Sequence, residues 1–127
     1  MQEQHLFEYA VIRVVPRVER EEFLNVGVVL YCKRPAFLQV KYALDVERLR
    51  VFCPQLDIAE VKAYLCAFDH ICQGLPIGGP IAKLDMASRF RWLTATRSTV
   101  VQCSKVHPGF SIDPLTTLTK LHEKLVL

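Results

Sequence analysis

Between Phe7 and Leu30 the chain passes from one apolar run, Tyr9-Ala10-Val11-Ile12, across a charged bridge to a second, Asn25-Val26-Gly27-Val28-Val29-Leu30. The bridge holds Arg17, Glu19, Arg20, Glu21 and Glu22. Runs dominated by β-branched and aromatic side chains suit a pleated, buried surface. The bridge cannot be core, because charged side chains are almost never fully buried unless paired. Two buried strands joined by a polar excursion follow, and they limit the fold more than any other part of the chain. The feature says nothing of a reaction.

A chain of 127 residues, 51% hydrophobic and 23% charged, can bury one core, so a single domain over residues 1–127 is expected. Leu6 to Val15 reads as the first strand, ended by Pro16, which has no N–H for a ladder. Val26 to Cys32 is apolar without interruption and reads as a central strand covered on at least part of both faces, with Gly27 marking a bulge or a close backbone approach. After the polar turn Lys33-Arg34-Pro35-Ala36, Leu38, Val40 and Tyr42 alternate with polar neighbours as a half-exposed third strand.

Helical signals follow. Asp45 to Phe52 reads as a short helix stopped by Pro54. Ile58, Val61, Leu65, Phe68 and Cys72 form one stripe at helical spacing, with Asp57 as N-cap and Gly74 as the left-handed stop. Leu75 to Pro80 reads as a flexible connector and Asp85 to Leu93 as a helix with Arg89 and Trp92 on a shared face. Thr99 to Cys103 is a fourth strand; Asp113 and Pro114 then open a closing helix whose buried stripe is Leu115, Leu118, Leu121, His122 and Leu125. The sum is an α+β fold, a mostly antiparallel sheet of about four strands with helices packed on one face.

The net charge of +3 is too mild to define a nucleic-acid binder. No apolar run approaches the roughly eighteen residues needed to span a bilayer, and Met1-Gln2-Glu3-Gln4-His5 lacks the build of a secretory signal, so no membrane and a cytoplasmic location are expected. Five cysteines, an odd number outside any loop framework, read as reduced thiols. No glycine-rich phosphate loop, paired Cys-x-x-Cys, His-Glu-x-x-His or Gly-x-Ser-x-Gly occurs. Cys66 and His70 share a helix face, but two ligands do not make a metal site, and no metal or cofactor is expected.

Two polar constellations stand out. Arg13 lies on an otherwise apolar strand and needs a partner if buried, which Glu21 or Glu22 could supply, while Asn25 can cap or turn the backbone at the strand entrance. From Met86 to Ile112 the chain carries Arg89, Arg91, Arg97, Lys105 and His107 without one acid, interleaved with Phe90, Trp92 and Phe110. Cations beside rings are what phosphate or nucleic-acid contact requires; a solvated face, or an Arg89–Trp92 cation–π pair, is the plainer account.

Tyr9-Ala10-Val11-Ile12-Arg13-Val14-Val15-Pro16, a glutamate-bearing bridge, Asn25-Val26-Gly27-Val28-Val29-Leu30, and later Arg89-Phe90-Arg91-Trp92-Leu93 and Arg97-Ser98-Thr99-Val100-Val101-Gln102 together resemble the bacterial domain-of-unknown-function family 3037. The resemblance spans nearly the whole chain and implies Arg13, Glu22, Asn25, Arg89, Trp92, Arg97 and His107 as the polar positions for a ligand or partner. It also implies a partner of the HipA-like kinase class, and hence a non-catalytic interaction or regulatory module. The alternative is a phosphate- or nucleic-acid-binding domain using segment 86–112. An enzyme with His107 as general acid or base ranks last, because one histidine before Pro108-Gly109 reads as a loop residue.

Overall fold

Strand β1 (His5–Val14) lies inside a five-stranded sheet, and every pairing in it is antiparallel. The computed structural model describes residues 3–127, so Met1 and Gln2 lie outside the described residues. On one side β1 pairs with β2 (Leu24–Cys32), which in turn pairs with β3 (Phe37–Tyr42). After helices α1 (Val46–Phe52), α2 (Ile58–Gln73) and α3 (Met86–Thr94), the chain returns to the other side of β1 as β4 (Val101–Cys103) and β5 (His107–Ser111), before closing with α4 (Pro114–Leu125).

β4 and β5 lie one after the other along the same side of β1, with Val14 opposite Val101 and Tyr9 opposite His107. Ser104 joins them: its N–H donates to the carbonyl of Val11 and its hydroxyl accepts from the Val11 N–H, each at 2.8 Å. The fourth row of the sheet is therefore one interrupted strand, and its second half was not expected. Pro108 and Gly109 depress strand propensity, but at an edge the missing donor of Pro108 points away from β1. Gly109 leaves room there for the Phe7 ring, which a Cβ would force to shift. His107 is thus a strand residue, not a loop residue.

The alternation of β2 explains its unbroken hydrophobicity. Val29 and Tyr31 join Ala10, Ile12 and Val14 in a core built against α2 and α3, where Leu65, Phe68, Phe90 and Leu93 fill it. Val28, Leu30 and Cys32 point the other way and, with Phe7, pack on Leu118 and Val126 at α4. The α+β class and antiparallel sheet are as expected; the helices, however, divide between the two faces. The expectation that all pack on one face is corrected by α4, which meets the apolar side chains that β1 and β2 turn away from the first core, Phe7, Val28, Leu30 and Cys32.

A β-bulge sets the polar end of the sheet. Ile12 faces Gly27 but Arg13 faces Asn25, so Val26 is an extra residue. Val26 joins the first core, and the shift turns Asn25 onto the α4 face. Asp45, Asp57 and Asp85 each cap a helix by accepting from the backbone N–H three residues on. Asp113 stands at the N-cap of α4 but accepts instead from the Thr116 hydroxyl at 2.6 Å. Leu115, expected in the buried stripe, is 52% exposed; the buried face of α4 runs instead through Pro114, Leu118 and His122. The expected connector after α2 folds into two short 3-10 turns with Ala82 buried between α2 and α3.

Candidate functional site

Arg13 shares a sheet face with Asn25, its cross-strand neighbour. The anticipated ion pair does not form: Glu22 pairs with Arg20 on the exposed bridge, and Glu21, closing a 3-10 turn at φ 57°, is exposed too. Instead the Arg13 guanidinium lies 3.9 Å over the ring of Phe23, and its Nε is buried without a hydrogen-bond partner. Asn25 donates through Nδ2 to the carbonyl of Leu125 at 3.1 Å, tying the end of α4 to the sheet.

Arg89 and Arg97 of segment 86–112 are engaged inside the fold. Arg89 donates to the carbonyl of Leu84 at 2.7 Å and packs against Gly74, strapping the turn between α2 and α3. Arg97 donates to the carbonyls of Leu93 and Trp92, capping α3, while its guanidinium lies 4.3 Å over the Trp92 ring. Trp92 is therefore paired with Arg97, not with Arg89. Arg91 reaches Glu8 at 3.7 Å. His107 packs against Tyr9 with the rings tilted at 35° and their centroids 5.3 Å apart. Of the positions read from sequence, the fold sets Arg13 opposite Asn25 and pairs Trp92 with Arg97, while Glu22 and Asn25 line two separate cavities.

The thiols divide by environment. Burial pushes Cys72 and Cys103 up to about 12, the protonated, unreactive form at neutral pH. Cys66 lies 3.6 Å from His70 Nε2 on the exposed side of α2. Among the described residues no group of three or more His, Cys, Asp or Glu side chains is arranged to hold a metal ion.

A different surface emerges from the sheet itself. α2 and α3 cover one face only as far as Tyr31 and Ala10; beyond them Leu6 and Phe110 lie opposite each other, 56% and 69% exposed. Ile112, two residues on, is 51% exposed. Beside this apolar strip a groove of about 500 Å³ opens between the sheet and α3, with Lys33, Arg34, Arg91 and Glu8 in its lining. Sequence reasoning missed it because the strip exists only if 107–111 is a strand. The alternation of Leu6 with Phe7, and of Pro108 and Phe110 with Gly109, was the available signal.

Among the described residues no helix is long and apolar enough to cross a membrane. The family model described as protein of unknown function, DUF3037, matches residues 9–126. No curated protein and no solved structure matches the chain.

Proposed function

We propose, from the premise that the chain belongs to the DUF3037 family of proteins of unknown function, that it is a non-catalytic interaction or regulatory module of the cytoplasm. Its partner is another protein, and the HipA-like kinase class is the one we put forward. One observation carries the reading: Leu6 and Phe110 form an apolar strip that the protein's own helices leave open, 56% and 69% exposed. Fully burying a Leu or Phe side chain is worth roughly 1.5–3 kcal/mol, so a partner covering the strip gains affinity from it. The arginines of 86–112 lend less support to a nucleic-acid reading, since Arg89 and Arg97 donate to backbone carbonyls and Arg91 reaches Glu8.

Calorimetric titration of the purified chain with a purified HipA-like kinase tests this reading. A saturable complex is expected, weakened about tenfold or more by Phe110→Asp while the fold is retained, with no turnover by the chain alone. No heat of binding removes the kinase from the proposal. Binding that ignores Phe110→Asp removes the strip.

A further inference from the structure

We propose that the groove beside the Leu6–Phe110 strip receives an acidic amphipathic segment of the partner, its apolar side chains on the strip and its carboxylates on Lys33, Arg34 and Arg91. The inference rests on the docking reading above and adds the chemistry of what docks.

Charge is the first argument. The groove is lined by three cations, Lys33, Arg34 and Arg91, and by one acid, Glu8. Glu8 meets only Arg91, across 3.7 Å, and among the described residues neither Lys33 nor Arg34 has an ion-pair partner. Lys33 and Arg34 are exposed and free to meet carboxylates at the rim of an interface, and Arg91, its side chain 66% exposed, can do so by exchanging its long 3.7 Å contact with Glu8.

The shape of the floor is the second. Leu6 and Phe110 form one cross-strand pair beside the groove, and Tyr31 closes its inner end beneath α3. An apolar floor with a cationic wall matches an amphipathic segment that presents anchors at helical spacing on one side and acids on the other. Strand addition at the neighbouring edge is disfavoured, because Pro108 offers no N–H to an incoming strand. A single-stranded nucleic acid is also a poorer match: it needs successive stacking rings, and among the described residues Phe110 on the strip is strongly exposed while Tyr31 in the groove is buried.

Panning a random peptide library against the intact protein at physiological salt tests the inference. Recovered peptides should be rich in Asp and Glu and carry Leu, Ile or Phe at three- and four-residue spacings. Their binding should fall about tenfold or more both in Lys33→Glu/Arg34→Glu and in Phe110→Asp, with circular dichroism and thermal midpoint unchanged. All three positions are exposed, so the variants should fold.

Peptides lost in Phe110→Asp but indifferent to charge reversal would overturn the acidic chemistry and leave the docking surface standing. Peptides indifferent to every variant would overturn both. No enrichment at all would overturn the segment, leaving calorimetry with the kinase to judge the surface. Tighter, salt-sensitive binding of a single-stranded RNA oligonucleotide, abolished by the same charge reversal, would give the groove to nucleic acid instead.

Discussion

A Cβ added at Gly27 would lie 2.8 Å from the Tyr42 Cβ and 2.9 Å from the Lys41 carbonyl oxygen. Both obstacles belong to β3, so relief would require the two strands to separate rather than a side chain to turn. Gly27→Ala is therefore expected to destabilise the protein by about 1–3 kcal/mol in urea denaturation. An unchanged midpoint would mean that β3 yields freely. The residue scale is also where sequence reading was most uneven. Gly27 could be flagged, because a glycine inside a valine run has few explanations. Arg13, Arg89 and Arg97 could be flagged too, but not what each would meet. Phe23, Leu84 and Trp92 were chosen by chain geometry, and an arginine reaches carbonyls and rings as readily as carboxylates.

At the scale of the element, α4 carries a buried group that responds to pH, His122. His122 is 3% exposed and packs where the helix meets Lys41 of β3; its Nδ1 has no hydrogen-bond partner. Burial first, and then the charge of Lys41, lower its pKa from the ordinary 6.5, against a hydrogen bond to the Lys41 backbone and the charge of Glu123, which raise it. The unfolded chain thus binds this proton more readily than the folded one. Stability contributed by neutral His122 is fully present above about pH 6.5 and is lost as pH falls from there through the lower folded value. Melting temperature followed from neutral to mildly acidic pH should fall, and His122→Leu should flatten that limb. Equal slopes in both proteins would place the acid sensitivity elsewhere. The helices themselves were readable because their caps and stripes are local: Asp57, Gly74 and the Val61–Leu65–Phe68 spacing mark α2 without reference to the rest of the fold. α4 was readable as a helix, but its choice of face was not.

Across the whole molecule, a sheet buried on both faces makes thiol chemistry a gauge of which layer opens. Cys66 is exposed and Cys53 half-buried, whereas Cys32 and Cys72 are buried. Cys72 and Cys103 are also pushed up to about 12. With a thiol reagent at neutral pH and peptide mapping by mass spectrometry, Cys66 and then Cys53 should label in the native protein. Cys32, Cys72 and Cys103 should label only as the chain unfolds. Rapid labelling of Cys32 alone would show that α4 lifts from its face before the main core opens.

From the order of its residues alone, the protein was bound to take an α+β fold with β1 and β2 adjacent and α2 capped at both ends. Those features depend on near neighbours: alternation along a strand, spacing along a helix, the hydrogen-bonding reach of an aspartate. Tertiary structure alone decided that α4 would take the second face, that 104–106 would bend one row into β4 and β5, and that a single bulge would turn Asn25 toward Leu125. It also decided that Leu6 and Phe110, more than a hundred residues apart, would meet and stay uncovered. Such outcomes depend on which surfaces remain when the rest of the chain has packed, and no local pattern carries that information.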